Sequence, residues 1–195
     1  DNYFVCMRLC SIQDNRFAYR KNVLPTSMHP SQAALIVSLA KPYLKETAQI
    51  MDPFCGVGTL LIERAHLVPA REIYATDTYG DAITMGRENA AFAKTRINFI
   101  HRDFFDFRHD YKFDELITDM PVRNRQTKAE MELFYERFFD KAAEHLVSGG
   151  IIVMYSNEIG FVKKQIRLRV EYRLLQETCI LDKKDFYLFV IRYED

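Results

Sequence analysis

The segment Asp52–Thr59 carries the residues whose types and spacing best suit ligand chemistry. It reads DPFCGVGT, follows a short apolar run and opens a stretch with helical periodicity. Gly56 and Gly58 allow a tight turn and a close approach of the backbone to a bound molecule. A plain tight turn would use the same two glycines, so the flanking residues must decide what the loop binds.

The loop differs from both common phosphate-binding loops. A P-loop requires the pattern GxxxxGK[ST], which is absent from the chain. A dinucleotide loop has a third glycine where this chain has Leu61. Asp52, at the end of the first predicted strand, would repel a pyrophosphate. An acid at that place suits a ligand that carries an ammonium group instead.

Two further acids follow the next two predicted strands. Asp77 comes about 20 residues after Gly58, a spacing from which a carboxylate accepts hydrogen bonds from ribose hydroxyls. Asp103 follows the third strand and could reach an adenine amino group. Either acid alone reads more simply as a solvated strand end, but the combination describes a pocket for S-adenosylmethionine. The residues predicted to bind this cofactor are Asp52, Phe54, Gly56, Gly58, Thr59, Asp77 and Asp103.

Helical and strand patterns alternate from Pro30 onward, which predicts an α/β fold with a mostly parallel sheet and helices on both faces. The patterns predict helices over 31–41, 59–68, 79–93, 128–146 and 158–167, and strands over 48–52, 72–76, 97–101, 113–118 and 151–155. Gly149–Gly150 is predicted to end the fourth helix. Two last strand patterns, 170–181 and 185–193, predict a C-terminal hairpin that makes one edge strand antiparallel.

The N-terminal part is predicted to be separate. Residues 1–30 are expected to form strands over 2–10 and 16–20 and a lead-in that lies as a lip over the front of the sheet. Residues 31–195 are expected to form the main domain. The chain starts without Met, and we expect its first residues to be the end of a preceding region.

The composition fits one globular domain with a substantial core, because 48% of the 195 residues are hydrophobic. The 27 basic residues balance the 27 acidic ones, which argues against binding to nucleic acid through bulk charge but not against a local basic face. No apolar run approaches the roughly 18–20 residues that cross a bilayer, so no membrane partner is expected. The cysteines form no CxxC pair and the histidines are scattered; we therefore expect no metal site and a cytoplasmic location.

The segment DPFCGVGT closely resembles the first motif of the class I S-adenosylmethionine-dependent RNA methyltransferases that usually carry a THUMP domain. Residues 16–21 (RFAYRK), Leu24-Pro25 and His29-Pro30 resemble the lead-in of that family. Asp77 and Asp103 match its ribose-binding and adenine-binding acids. The resemblance implies a Rossmann-like domain with a seven-stranded sheet. It also implies methyl transfer to an exocyclic base amine of tRNA or rRNA, chiefly guanine N2, and RNA binding through a THUMP domain ahead of this chain.

The acceptor motif of that family, Asn/Asp-Pro-Pro-aromatic after the fourth strand, is only partly matched, because the chain reads Asp119-Met120-Pro121-Val122. The resemblance implies that Asp119 accepts the hydrogens of the target amine and that Pro121 fixes the backbone. These two are the predicted catalytic residues. The missing aromatic ring would stack on the base, which is worth roughly 1–3 kcal/mol. Met120 or a nearby guanidinium could replace that ring, and a strand-end cap is the simpler alternative for Asp119.

Two basic clusters follow the motif. The first cluster, Arg123, Arg125 and Lys128, is the better candidate for phosphate contacts because it adjoins the predicted acceptor site. The second cluster consists of Lys163, Lys164, Arg167 and Arg169. A solvated face is the alternative for both. Two other functions stay open, a methyltransferase that acts on a protein or small molecule and a catalytically weak module that binds S-adenosylmethionine. The sequence leaves the oligomeric state open.

Overall fold

The structure is a computed structural model of the chain, and it describes residue 3, residues 15–181 and residues 185–195. The helices are α1 (Pro30–Ala40), α2 (Thr59–Leu67), α3 (Gly80–Phe92), α4 (Lys128–His145) and α5 (Ile159–Leu168). The strands are β1 (Gln49–Asp52), β2 (Glu72–Asp77), β3 (Asn98–His101), β4 (Phe113–Asp119), β5 (Leu146–Ser156), β6 (Tyr172–Leu181) and β7 (Phe186–Tyr193). The helices and strands predicted from residue 31 onward agree with these bounds to within two residues, except at the start of β5.

In the described part of the chain, the strands form one sheet in the order β3-β2-β1-β4-β5-β7-β6. The first five of these run parallel, while β7 pairs antiparallel with both β5 and β6. The predicted Rossmann-like fold with a C-terminal antiparallel hairpin is confirmed. The strand that runs against the parallel set is β7, which lies second from the edge, and β6 forms the edge itself.

Apolar side chains cover both faces of the sheet. One face packs against α1, α2 and α3, and the other against α4, α5 and the short 3₁₀ helix Phe104–Asp106. Ile152, Val153 and Met154 are all fully buried in succession, as expected for a strand covered on both sides. Both faces are therefore used for packing, and ligand binding is left to the loops at the carboxyl ends of the strands.

The predicted strand over 16–20 was wrong. These residues form turns, in which the N–H of Ala18 bonds the carbonyl of Asn15 and the N–H of Arg20 bonds that of Phe17, both at 3.1 Å. The alternation of polar and aromatic residues there reflects one buried ring, Tyr19, rather than a strand pairing. Apart from residue 3, the predicted strand over 2–10 lies outside the described residues, and the boundary predicted at residue 30 stays a prediction.

The predicted role of Gly149–Gly150 in ending α4 was also wrong, although α4 ends at His145, one residue from the predicted bound. Leu146 already has an extended backbone, is fully buried and pairs with Phe113 of β4. Strand pairing therefore begins before the glycines are reached. Gly149 has a positive φ of 78° inside β5, and the register with β4 shifts between Phe113 and Glu115. The glycines thus lie at an irregularity in β5 and do not end the helix.

Among the described residues, no helix is long and apolar enough to cross a membrane. In the same residues, no group of three or more His, Cys, Asp or Glu side chains is placed to hold a metal ion.

Candidate functional site

A cavity of about 570 Å³ opens at the carboxyl edge of the sheet, where the strand order reverses between β1 and β4. Three segments provide most of its wall. They are the glycine loop (residues 52–59), the acceptor segment (residues 119–124) and residues 24–28, part of a stretch 15–29 that we call the strap. Its volume lies within the roughly 300–1,000 Å³ typical of small-molecule sites.

The backbone of the glycine loop is held by hydrogen bonds to the neighbouring strand and to itself. The N–H of Gly56 bonds Oδ2 of Asp77 at 2.8 Å, and the N–H of Cys55 bonds the carbonyl of Thr76 at 3.0 Å. The N–H of Gly58 closes a turn on the carbonyl of Cys55 at 2.8 Å. Gly56 and Gly58 have φ values of 50° and 78°, a left-handed region that favours glycine.

Gly58 is also constrained by space. A Cβ atom at this position would lie 2.8 Å from Cζ of Phe99, a ring of β3 that packs beneath the loop. Gly58 is the N-cap of α2, and no side chain caps that helix end. The first N–H groups of α2 therefore remain available to an anionic group in the cavity.

The two acids at the ends of β1 and β2 differ in environment. Asp52 is 2% exposed and accepts the N–H of Phe54 at 3.0 Å. Burial raises the pKa of Asp52 to about 8, and the nearby charges of Asp119 and Asp77 add to the rise, while the hydrogen bond from the N–H of Phe54 opposes it. Asp77 accepts N–H groups from Gly56 and from Tyr79, at 2.8 and 2.9 Å. A buried acid such as Asp52 is best stabilised in its charged form by a cation.

Thr59 supplies a polar group without a partner. Its hydroxyl is buried, lines the cavity and makes no hydrogen bond to the residues that the structure describes. A buried hydroxyl that lacks a partner is costly, and a ligand oxygen or nitrogen in the cavity would satisfy it.

The acceptor segment begins on the sheet and then leaves it. Asp119 lies opposite Tyr155 of β5, and burial raises the pKa of Asp119 to about 7. The N–H of Met120 bonds the carbonyl of Tyr155 at 2.9 Å, and the Met120 side chain is 2% exposed. Val122 is 52% exposed at the mouth, and Arg123 is paired with Glu158 at 3.6 Å.

The structure brings most of the predicted site residues to one cavity. Those that line it are Asp52, Phe54, Gly56, Thr59, Asp77, Asp119 and Pro121. Gly58 and Asp103 are not among the residues that line it. Asp103 accepts the N–H of Phe105 at 2.9 Å and caps the 3₁₀ helix Phe104–Asp106. The cofactor and catalytic roles of all these residues, including the adenine contact of Asp103, stay predictions.

Residues 18–179 match the family described as RMKL-like, methyltransferase domain. The chain belongs to this methyltransferase domain family. This methyltransferase domain is 31% identical over 186 residues to a tRNA (guanine(10)-N2)-dimethyltransferase from Methanothermobacter thermautotrophicus, a match that covers 89% of the chain and 54% of the relative. It is 25% identical over 155 residues to a release factor glutamine methyltransferase from Lactococcus lactis, with 70% of the chain and 56% of the relative covered. The chain thus spans about half the length of these two curated relatives.

Solved structures share the fold of the methyltransferase domain. TrmN from Thermus thermophilus matches with a TM-score of 0.75 at 22% identity, covering 92% of this chain and 52% of that one. The N-methyltransferase NodS from Bradyrhizobium japonicum, solved in complex with S-adenosyl-L-homocysteine, matches with a TM-score of 0.65 at 12% identity, covering 85% and 87%.

The strap contributes contacts to the methyltransferase domain that the sequence did not reveal. The predicted lip over the front of the sheet provides four residues of the cavity wall: Leu24, Thr26, Ser27 and Met28. A turn holds this part, because the N–H of Ser27 bonds the carbonyl of Leu24 and the Ser27 hydroxyl accepts the N–H of Leu24, both at 2.9 Å. These side chains have no chemistry-bearing pattern in the sequence, so their role follows only from where the strap lies.

The two basic clusters of the methyltransferase domain differ in their partners. In the second cluster, Lys163 pairs with Glu177, Lys164 with Glu132, and Arg169 with Asp140. In the first cluster, Arg123 pairs loosely with Glu158 and lines the cavity. Arg125 and Lys128 are exposed and form no ion pair with any residue that the structure describes. Exposed positive charge therefore follows directly after the acceptor segment, whereas three of the four residues of the second cluster are paired with acids.

Proposed function

We propose that the cavity binds S-adenosylmethionine and that the domain transfers its methyl group to the N2 amine of a guanine in tRNA or rRNA. The observation that carries this proposal is that Asp119 lines the same cavity as the glycine loop, Asp52 and Asp77. An acid at the end of β4 is thereby brought beside a pocket suited to an adenosyl amino acid. Membership of a methyltransferase domain family and the guanine-N2 specificity of a relative support the same reading.

The residues present fit this cofactor. Asp52 offers a buried carboxylate to an ammonium group, and Asp77 keeps free lone pairs for ribose hydroxyls. The uncapped start of α2 and the unpartnered hydroxyl of Thr59 suit the carboxylate of an amino acid. Phe54 gives the cavity an apolar wall. When bound, the cofactor supplies a methyl group on a positively charged sulfur, which is open to attack by a nucleophile.

Asp119 would act on the acceptor side of the cavity. An exocyclic amine is a weak nucleophile because its lone pair is delocalised into the ring. An ionised Asp119 accepts hydrogens of that amine, orients the lone pair and stabilises the positive charge that develops on nitrogen. Since burial raises the pKa of Asp119 to about 7, the ionised form grows as the pH rises through neutrality, and turnover is expected to rise with it.

The base must leave its stack to reach Asp119. Arg123 at the mouth, together with Arg125 and Lys128 beyond it, is positioned to contact phosphates of the flanking nucleotides. We further propose that stronger RNA binding comes from a THUMP region outside this chain. On this proposal the 195 residues alone bind RNA weakly.

A second candidate is methyl transfer to a protein side-chain amide. Two observations favour it. The exposed residue at the mouth is Val122, which has no aromatic ring on which a base could stack, and the chain is similar to a release factor glutamine methyltransferase. A small amide needs no stacking surface. RNA is the stronger candidate because two exposed cations, Arg125 and Lys128, come directly after the acceptor segment.

The test is to incubate the purified protein with methyl-labelled S-adenosylmethionine and either cellular RNA or RNA-free cellular protein, and to digest the RNA to nucleosides. We expect label in N2-methylated guanosine, reduced by about 10²- to 10⁴-fold in Asp119→Ala. Asp140→Asn, an exposed acid on α4 that pairs with Arg169, is the control and should retain activity. Label in protein but not in RNA would select the second candidate, and equal labelling by Asp119→Ala would refute the role of that residue.

A further inference from the structure

We infer that Asn89 is a positioning residue for the cofactor cavity, although it is not among the residues that line it. Asn89 lies on α3 and is fully buried. Its Oδ1 accepts the N–H of Lys21 at 3.0 Å and that of Asn22 at 2.9 Å. Its Nδ2 donates to the carbonyl of Asn22 at 2.9 Å and to that of Val57 at 3.4 Å.

These four hydrogen bonds use the two acceptor and two donor positions of one carboxamide. Three of them go to the backbone of the strap, and the fourth goes to Val57, between the two glycines of the glycine loop. One buried side chain thus fastens together two of the three segments that form the cavity wall.

The attachment point lies just before the part of the strap that lines the cavity. Leu24 follows Asn22 by two residues, and the strap then turns at Ser27 and reaches Met28. The guanidinium of Arg20 bonds the carbonyl of Met28 at 3.1 Å, so the parts of the strap before and after this turn are bonded to each other. The part of the strap that lines the cavity is therefore held together by its own hydrogen bonds, and Asn89 sets its position relative to the glycine loop.

A second anchor of the strap provides a contrast. The hydroxyl of Tyr19 donates to Oε1 of Glu63 on α2 at 2.5 Å, and the ring of Tyr19 is buried. This anchor holds the strap to the domain but does not bond the glycine loop. If holding the strap were enough, removing either anchor would affect the cavity equally. If Asn89 positions the loop and the strap together, the two removals should differ in effect.

The experiment compares Asn89→Asp with Tyr19→Phe. Asn89→Asp keeps the size and one acceptor oxygen but places a carboxylate oxygen against the carbonyls of Asn22 and Val57. Tyr19→Phe removes only a hydroxyl and keeps the buried ring. Calorimetry measures the Kd for S-adenosylhomocysteine, urea unfolding measures the stability of each unligated variant, and steady-state kinetics separates KM for the methyl donor from kcat.

We expect Asn89→Asp to raise the Kd and the KM for the methyl donor by about tenfold or more, the effect of removing roughly one or two buried hydrogen bonds. Its kcat at saturating methyl donor should stay within about threefold, because Asp119 and the acceptor segment are untouched. Tyr19→Phe should change the Kd by less than about threefold, even if it lowers the free energy of unfolding as much as Asn89→Asp does. Asn89→Ser, which is smaller and keeps a hydroxyl donor, provides the same ranking if the aspartate variant does not fold.

This inference rests on the proposed cofactor, and its failure can be distinguished from failure of that proposal. If the wild-type protein does not bind S-adenosylhomocysteine, the proposed function is wrong. If the wild type binds it and the Asn89 variants bind as tightly as Tyr19→Phe, then Asn89 acts on stability alone and the inference is overturned.

Discussion

The glycine loop and the acceptor segment face one cavity but are built differently. In the glycine loop, the N–H groups of Cys55, Gly56 and Gly58 all have partners at 2.8–3.0 Å. In the acceptor segment, every residue from Pro121 to Asn124 is exposed, and the salt bridge from Arg123 is 3.6 Å long. The fold therefore preorganises the glycine loop, whereas the acceptor segment has few contacts; on the proposed function, binding of the substrate would order it.

Among the changes that distinguish the glycine loop from the acceptor segment, the largest loss of affinity for S-adenosylhomocysteine should come from Gly58. In Gly58→Ala the new Cβ meets the Phe99 ring and the residue must keep a left-handed backbone, which costs roughly 1–3 kcal/mol of stability. We expect the affinity for S-adenosylhomocysteine to fall by at least about tenfold. Gly160→Ala on α5 is the control, because nothing lies within 4 Å of its Cβ position. Equal binding by both variants would show that the loop tolerates movement.

A second change in the glycine loop, Asp52→Asn, should affect the stability of the protein and its affinity for the cofactor in opposite directions. Burial raises the pKa of Asp52 to about 8, so the folded protein holds a proton that the unfolded chain releases near its ordinary pKa of about 4. The stabilisation from that proton is present at low pH and is lost as the pH rises toward about 8. Asp52→Asn removes this pH-dependent decline.

We therefore expect unligated Asp52→Asn to gain stability relative to wild type between pH 5 and pH 9, by an amount of the order of 3 kcal/mol. Its affinity for S-adenosylhomocysteine should fall by about tenfold or more, because the partner of the ammonium group is neutral. Urea unfolding at pH 5, 7 and 9 and calorimetry measure the two effects. A variant that loses stability relative to wild type as the pH rises would contradict the assigned environment of Asp52.

In the acceptor segment, one substitution should increase RNA methylation rather than decrease it. Val122→Tyr supplies an exposed ring where a base could stack, which is worth roughly 1–3 kcal/mol. We expect kcat/KM for RNA to rise by about fivefold or more, with the affinity for the methyl donor unchanged. Val122→Leu controls for added apolar bulk. A drop in RNA methylation by the tyrosine variant would show that the base approaches Asp119 from another side.

The smallest expected effect separates the two basic clusters. Arg125→Ala with Lys128→Ala should weaken RNA binding and lower the slope of log affinity against log salt by about 0.7–0.9 for each phosphate that is no longer neutralised. Lys163→Ala with Lys164→Ala should leave that slope unchanged, because both lysines are paired with glutamates. The slopes are measured by titrating RNA at several salt concentrations. Equal slopes for the two double variants would place the RNA elsewhere.

The sequence predicted the elements that obey simple periodicity and missed those fixed by packing. The apolar run 151–155 and the periodic residues of α4 are set by local pattern, and they lie where expected. The true start of β5 at Leu146 depends on pairing with Phe113, which no local pattern shows. The turns at 16–19 likewise depend on burying Tyr19 against α2.

The residues of the candidate site fall into the same two groups, those that a local pattern predicts and those that only the folded structure shows. Asp52, Asp77 and Asp119 were predictable because parallel strands bring their carboxyl ends to one edge, and all three line the cavity. Asp103 also follows a strand, but its carboxylate is used locally to cap a 3₁₀ helix. Asn89 sits mid-helix with no motif around it. Its hydrogen bonds join residues that are more than 30 positions apart in sequence, and only the folded chain shows them.

The hydrogen bond from Met120 to Tyr155 alters how the acceptor motif compares with the usual double proline. Proline has no N–H, so a proline at this position would lose the bond to β5 and obtain a stiffer backbone instead. The N–H of Met120 bonds β5 beyond the last residue of β4. A residue at this position can fix the backbone through that bond or through a proline ring, but not through both. The single substitution Met120→Pro is thus expected to lower stability, because it removes this hydrogen bond.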